Sequence, residues 1–480
     1  MRSLSACLLC ICLGFSARAE AQAGARDPAN EPTAPTNTPA SPGASVVSDP
    51  LSSMPEVTDA MLEPIDSAPQ LLGSWQQATT LMRSRSTSLA TARARIEEAS
   101  GRSRQVLANG LPVIAANGSV NRNLLFATGS TVLGQGLTND VRLPYPPTVW
   151  NAGVSLRQPV FDLRTWYDIR ASSTAVEAAG VSAEDTERVA LGSLAEAIVS
   201  VITAERLAEV SRVSLRSNLS LLDLTQRRTR LGAASALDVL RAEQEVASSR
   251  SNVVQADETL RRAREGLGMA LGYPDPWGVA PDVKVDALAR DARALCTPVS
   301  DPEQRSDVRA AKLNAEVSEQ AAESVQYAHA PTLDVVSDFS YTTDPRSARP
   351  VLWSIGALLT IPIYEGGRVA AERDVNVATA TVARQQLTDA VRGARLQAVQ
   401  TQRGVTVAEA NFGISRQARD IAAESARLSR VAFVHGTGTS FDLVDTAQRH
   451  RLSEIDVTIK EFEVVRARIA ALLAQSNCSM

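Results

Sequence analysis

The sequence predicts a mainly α-helical chain that carries four short β-strands, arranged as two internal repeats. The first observation is that LRQPVFDLRTW (156–166) has a counterpart in LTIPIYEGGRV (359–369), 203 positions later. The second is that the segments beside each copy alternate apolar and polar residues with period two, as strands with two different faces do. The third is the length of the proline-free segments that follow, which favours extended helices.

The N-terminal segment predicts export from the cytoplasm. Residues 1–19 combine a positive Arg2, an apolar run and the small-residue cleavage site Ala17-Arg18-Ala19, as a signal peptide does. Residues 20–69 are rich in proline, serine, threonine and alanine. We predict that they are disordered, because this composition cannot bury enough apolar surface to offset the entropy of ordering.

Composition and motifs favour neither nucleic-acid binding nor catalysis. The net charge of −4 gives no reason to expect nucleic acid. His-Glu-x-x-His, phosphate-loop and Gly-x-Ser-x-Gly motifs are missing from the sequence, and its three histidines fall in separate elements. We therefore predict no enzyme, no cofactor and no metal site. Cys296 and Cys478, the cysteines beyond the signal, could pair in an oxidising compartment or remain thiols.

Each repeat offers two strands followed by long helices. The first repeat (70–273) has predicted strands at about 111–126 and 148–160, and the second (303–475) at about 331–342 and 350–363. A linker (274–302) separates the repeats, and residues 476–480 form a tail. Eleven of the 18 aromatic residues beyond the signal lie in 126–167 or 327–364. A soluble sheet would also alternate, but it would not explain this concentration, so we favour a membrane β-barrel with aromatic girdles.

The helices are unusually long. Residues 163–230 contain no proline, and 68 residues extend roughly 100 Å at 1.5 Å per residue. The second copy is 368–434, and helices of this length need lateral partners, as in coiled coils. Further helices are predicted at 235–271 and 440–474, at about 71–109 before the first strand, and at about 303–328 before the third.

Four strands cannot close a barrel, so the protein must oligomerise. An open sheet in lipid would leave its edges unpaired, at a cost of several kcal/mol per group. Two copies would supply eight strands and only a filled interior, whereas three would supply twelve and room for water. The strand count leaves both possibilities open.

Several motifs, in this order and spacing, resemble the TolC family of outer-membrane efflux and secretion ducts. The motifs are LRQPVFD (156–162), LTQR (224–227) with Gly232 and Asp238-Val-Leu240, HAPTLD (329–334), IPIYEGG (361–367), and Gly436 with Asp442-Leu-Val-Asp445. The resemblance implies a homotrimer with a twelve-stranded outer-membrane barrel and a periplasmic helical tunnel. It also implies export of substrates through a periplasmic adaptor and an inner-membrane pump or transporter. A periplasmic coiled-coil adaptor or scaffold is the alternative, but it would explain only the helices.

The resemblance also implies roles for individual residues. The far ends of the long helices would narrow the tunnel and contact the adaptor. The adaptor-contact tips are Arg230, Leu231, Gly232, Gly436 and Thr437; the gate residues are Asp238, Phe433, His435 and Gly438; the acidic ring at the entrance is Asp442 and Asp445; and the junction between barrel and helices is Pro159, Pro362, Gly366 and Gly367.

Two features of these tips qualify the resemblance. Ser235-x-x-Asp238 and Thr439-x-x-Asp442 also match helix-capping signals, so both acids could serve as caps instead. Family members that lock the tunnel use a tyrosine and an arginine where this chain has Phe433 and Gly438. We therefore expect a closed state that is held differently, with His435 or Arg230 as candidates.

Overall fold

The computed structural model describes residues 57–122, 124, 148–281, 283, 290, 296–299, 301–344, 347 and 349–478. The predicted signal peptide and residues 20–56 lie outside these described residues. So do residues 123, 125 and 126 at the end of the first predicted strand.

The predicted mainly helical fold is confirmed. The helices are α1 (Trp75–Arg85), α2 (Thr87–Ala108), α3 (Leu163–Arg230), α4 (Ala236–Leu271), α5 (Ser306–Gln326), α6 (Arg368–Val434) and α7 (Ser440–Ala474). α3 begins where the Asp162 carboxylate accepts a hydrogen bond from the Thr165 amide at 3.2 Å. Among the helices of the described chain, none has the length and apolar content needed to cross a bilayer.

Four strands form one antiparallel sheet in the order β2–β3–β6–β7. They are β2 (Val113–Arg122), β3 (Thr148–Phe161), β6 (Thr332–Thr342) and β7 (Val351–Thr360). The two hairpins, β2–β3 and β6–β7, meet where β3 pairs with β6. β2 and β7 are therefore the two edges of an open sheet.

The register brings the apolar faces of the four strands to one side of the sheet. Ala116 of β2 lies opposite Val154 of β3, which lies opposite Phe339 of β6, which lies opposite Trp353 of β7. This row is open to the surroundings, with Trp353 76% and Phe339 42% exposed. The sheet thus presents an uncovered apolar face, as the alternation predicts.

The main core lies where α1, α3, α4 and α7 meet. Leu194 and Ile198 of α3, Met82 of α1 and Leu267 of α4 are almost completely buried there. Small residues such as Ala195 allow the helices to approach closely, which suits the alanine-rich sequence. A second, smaller cluster joins α3 and α4 farther along, around Leu215 and Val246.

The prediction that disorder extends to residue 69 is wrong for residues 57–69. Asp59 caps a 3₁₀ turn (Ala60–Leu62) and forms an ion pair with Arg250 of α4 at 2.8 Å. Leu62 packs against the smaller α3–α4 cluster. We call residues 57–66 the N-terminal strap.

The prediction of one helix over 71–109 is also wrong. Residues Gln70–Leu72 form a strand, β1, parallel to β4 (Trp277–Val279), and Ser86 separates α1 from α2. Ser86 has an extended conformation there, and Gly272 lies close to this end of α1: a Cβ at Gly272 would lie 2.6 Å from the Arg85 carbonyl oxygen. Helical periodicity continues across Ser86 and hides the break.

The linker and the tail are joined by a short sheet that the sequence did not indicate. β5 (Cys296–Pro298) pairs antiparallel with β8 (Ser476–Cys478), and the register puts Cys296 opposite Cys478. Cys296 is disulfide-bonded. The alternative of a free thiol is therefore not the one found for Cys296.

Candidate functional sites

The turns at the far ends of the two helical hairpins share one construction. We call residues 230–238 the first tip and 433–445 the second tip. Gly232 follows the end of α3 with φ 74°, and Gly436 follows the end of α6 with φ 77°, a left-handed conformation that favours glycine. Ser235 and Thr439 then cap α4 and α7 by accepting hydrogen bonds from the amides of Asp238 and Asp442. The tips are thus two copies of one helix–turn–helix unit.

Asp238 and Asp442 complete capping boxes. The Asp238 carboxylate accepts a hydrogen bond from the Ser235 amide at 3.0 Å, and the Asp442 carboxylate accepts one from the Thr439 amide at 3.3 Å. Within one chain, both acids therefore take part in helix capping, which is the alternative that the sequence offered. Asp445 has another partner: its carboxylate lies 2.9 Å from Arg449 Nε, one helical turn away.

Two side-chain contacts reach the second tip, one from the first tip and one from the last turn of α3 just before it. The Ser440 hydroxyl donates a short hydrogen bond to the Asp238 carboxylate. This bond is the main reason why the pKa of Asp238 is lowered, whereas burial acts in the opposite direction. The Arg228 guanidinium lies 4.3 Å from the centre of the Phe433 ring and donates to the Phe433 carbonyl at 3.1 Å.

Phe433 and Gly438 contribute packing rather than polar latches. Phe433 is buried beneath Arg228, and a Cβ at Gly438 would lie 3.0 Å from the Phe433 amide nitrogen. Gly438 therefore permits the tight second tip. Within the described part of one chain, the side chains of His435 and Arg230 make no hydrogen bond or ion pair. The contacts that join the tips are made instead by Arg228 and Ser440.

Sequence reasoning missed Arg228 and Ser440. Ser440 follows a recognisable cap residue, but its partner Asp238 lies 202 positions earlier. Arg228 is one of three arginines in the last turn of α3, and local sequence does not distinguish the one that stacks on Phe433. The offset between the repeats was the only available signal, since it places residues 228 and 433 at the same end of the molecule.

The ends of the tips are open for contact with another molecule. All five predicted adaptor-contact residues are exposed, and so are three large apolar side chains nearby. Leu231 is 83% exposed, Leu240 62% and Phe441 59%. Exposed apolar side chains rimmed by polar residues are typical of interaction surfaces.

At the other end of the long helices, strands pass directly into α3 and α6. β3 continues through Pro159 to Phe161, with an irregular register just after the proline, and α3 starts at Leu163. β7 stops at Thr360, two residues before Pro362, and Gly366 and Gly367 both have positive φ before α6. On the polar face of the sheet, Arg157 and the buried Asp334 form an ion pair at 2.6 Å.

Paired helical hairpins that continue into an open, outwardly apolar sheet define a subunit of a membrane channel with a helical extension. The family model described as outer membrane efflux protein matches residues 79–273 and 302–457. The chain therefore belongs to the outer membrane efflux protein family, of the TolC type, and is an outer-membrane efflux channel protein that extends into the periplasm.

Solved structures share the fold at low sequence identity. The outer membrane protein VceC from Vibrio cholerae is 15% identical with a TM-score of 0.70, covering 84% of this chain and 96% of its own. The Campylobacter jejuni CmeC outer membrane channel is 11% identical with a TM-score of 0.71, covering 89% and 95%. The Neisseria gonorrhoeae MtrE outer membrane channel, solved in its open state, is 17% identical with a TM-score of 0.67, covering 83% and 88%. No curated protein sequence matches the chain.

Proposed function

We propose that three copies of this chain close a twelve-stranded barrel in the outer membrane and a helical duct beneath it. The observation that carries this proposal is the open sheet: four strands, an uncovered apolar face and two edges without partners. In lipid, those edges must be paired. Two copies would give only a filled barrel, whereas three leave room for a polar pathway, as the family resemblance implies.

A stripe on α6 supports closure by further copies. Val407, Ile414, Ile421 and Leu428 recur every seven residues and are 53–66% exposed. We call these four residues the α6 stripe. Apolar residues that recur every seven positions face a partner helix in a coiled coil. In the described part of this chain, no other helix covers the α6 stripe. A neighbouring copy of the chain would supply the missing helix.

The two tips form the periplasmic entrance in this proposal. Three copies would gather Asp442 and Asp445 into a ring of six carboxylates, which would favour cations at the mouth. The exposed residues Arg230, Leu231, Gly232, Gly436 and Thr437 would contact a periplasmic adaptor, which joins the duct to an inner-membrane pump. Asp238, Phe433 and Gly438 would shape the gate, with Arg228 and Ser440 as their partners.

The channel proposal is tested on detergent-extracted protein from the outer membrane. We expect a mass of three polypeptides, excluding detergent, and ion conductance in planar bilayers that rises after mutation of the tips. A monomer that stays in solution without detergent would overturn the proposal. It would favour the periplasmic scaffold or adaptor instead, and fractionation would then find the protein outside the outer membrane.

Adaptor docking is tested in cells with a photoreactive side chain at Arg230 or Thr437. We expect a covalent product with a periplasmic adaptor at both positions. The control is the same probe at Arg373, which is exposed but lies at the opposite end of α6. Equal capture at Arg373, or none at the tips in cells that carry the complete pump, would refute docking at the tips.

A further inference from the structure

The two hairpins of the sheet have the same register. Pro112 and Pro331 come directly before β2 and β6, and the 203-residue offset relates β3 to β7. Val113 pairs with Arg157 in the first hairpin, and the corresponding residue Thr332 pairs with Thr360 in the second. The paired residues of the two hairpins therefore correspond one to one.

The seam between the hairpins supplies a template for pairing between chains. Within one chain, β3 pairs with β6, and β7 and β2 are the copies of these two strands. We propose that β7 of one chain pairs with β2 of a second copy in the register of the β3–β6 seam. This inference rests on the proposed oligomeric channel and adds to it which residues meet.

Three pairs define the proposed register. Gly153, Ser155 and Arg157 of β3 lie opposite Ser340, Asp338 and Val336 of β6. The corresponding residues place Gly356 opposite Asn121, Leu358 opposite Ser119 and Thr360 opposite Asn117 of the second copy. Even-numbered β2 residues, such as Val120, then meet odd-numbered β7 residues, such as Ala357. The apolar faces therefore stay on one side, whereas a slip of one residue would reverse them.

The different lengths of β3 and β7 carry the proposal. β3 extends to Phe161 because its last residues pair with Asp334 and Leu333 at the start of β6. Its copy β7 stops at Thr360, and no strand of the described residues lies beside the residues that follow. Ile363 and Tyr364 are 90% and 84% exposed, whereas their counterparts Val160 and Phe161 are 51% and 38% exposed. A second copy would complete β7: Pro362 would lie opposite Ala115, and Tyr364 opposite Ile114.

The seam between chains differs from its template in charge. Arg157 and Asp334 form an ion pair across the β3–β6 seam at 2.6 Å. The corresponding positions between chains are Thr360 and Ala115, which carry no charge. This difference provides a second test, because the ion pair can be transferred to the seam between chains.

The first test is disulfide cross-linking of detergent-extracted channel. Ser119→Cys is combined with Leu358→Cys, its direct partner in the proposed register. In two further variants it is combined with Gly356→Cys or Thr360→Cys, each two residues away from Leu358. Direct cross-strand partners have Cβ atoms about 4.5–5.5 Å apart and displaced ones about 7–8 Å, so only the first suit a disulfide. We expect the Ser119–Leu358 pair to cross-link at least about five-fold faster than the other two. Single-cysteine variants are the controls.

The cysteine pair that cross-links fastest tests the register, and the number of chains in the cross-linked product tests the trimer. A maximum at a displaced pair, in protein that is still a trimer, would overturn the register while leaving the channel proposal intact. A fast Ser119–Leu358 reaction whose products stop at two chains would support the register and refute the trimer. Absence of a cross-link from all three pairs in a trimer would overturn the register.

The second test transfers the ion pair. Ala115→Asp alone or Thr360→Arg alone should lower the temperature at which the trimer dissociates in detergent, because each leaves an uncompensated charge at the seam. The double variant should recover at least half of the loss. A double variant that dissociates at the temperature expected from adding the two single losses would contradict the register.

Discussion

At the scale of single residues, Asp238 is the group whose charge state is most directly linked to the contact between the tips. Its carboxylate accepts hydrogen bonds from Ser440 and Ser235, and its pKa is lowered below the ordinary 3.8. A carboxylate with a lowered pKa contributes its full stabilisation to the folded tip when the pH is above the ordinary pKa. That stabilisation is lost as the pH falls through the lowered value.

We therefore expect pepsin to cleave the first tip slowly at pH 5 and faster as the pH falls below 3.8. In Asp238→Asn, cleavage should already be about five-fold faster at pH 5, since removing the charge weakens the hydrogen bonds from Ser440 and Ser235 by about 1 kcal/mol. It should then change little with pH. Rates are normalised to an unfolded substrate at each pH. A variant with the same pH profile as the wild type would show that another group controls the tip.

Arg228 makes the other contact between the tips, and Arg227 offers a matched control. Arg228 stacks on Phe433 and donates to its carbonyl, whereas Arg227 pairs with Asp223 within α3. Arg228→Ala should cost about 1–2 kcal/mol, from a charged hydrogen bond and a cation–π contact. Spin labels at Leu231 and Thr437 should then show a broader distance distribution, while Arg227→Ala leaves it unchanged. Equal broadening in both variants would mean that only net charge matters.

At the scale of elements, the N-terminal strap shows how a short segment is fixed by side chains from a hairpin. Arg264 donates to the Asp66 carbonyl at 2.8 Å, Arg250 pairs with Asp59, and Leu62 packs between α3 and α4. The strap thus joins two helices along the outside of the first hairpin. Its two polar anchors lie on either side of Leu62, which is partly buried.

Leu62→Ser should release the strap, and Met61→Ser should not. The two residues are neighbours, but Leu62 packs against the α3–α4 cluster whereas Met61 is exposed. Losing about 1.5 kcal/mol of apolar burial should raise cleavage after Glu63 by a glutamate-specific protease roughly ten-fold. Cleavage is measured by loss of the N-terminal segment. If both variants are cleaved at the wild-type rate, the anchors other than Leu62 hold the strap.

The elements that sequence predicts are those with a long local signal. The absence of proline over α3 and α6 and the period-two faces of β2, β3, β6 and β7 each extend over many residues. β1–β4 and β5–β8 are three-residue strands that join positions about two hundred apart, so no periodic signal marks them. At the tips, the capping pattern is local and was recognised. The Arg228–Phe433 contact depends on how two hairpins pack, so the sequence did not indicate it.

At the scale of the whole molecule, the α6 stripe is the surface through which neighbouring copies would close the proposed duct. One chain leaves Ile414 and Ile421 exposed over two successive heptads of a 67-residue helix. In the proposed duct this stripe would pack against a helix of the neighbouring copy. Ile414→Asp would place a charge there, and the cost recurs at each of the three interfaces of the proposed trimer.

We therefore expect Ile414→Asp to lower the dissociation temperature of the detergent-extracted trimer strongly, while Gln402→Asp lowers it little. Gln402 is exposed on the same helix, but it lies outside the seven-residue repeat, so the control adds the same charge and side chain. The barrel seam is untouched in both variants. Equal dissociation temperatures would show that the strands alone hold the copies together and that the α6 stripe faces something other than a neighbouring chain.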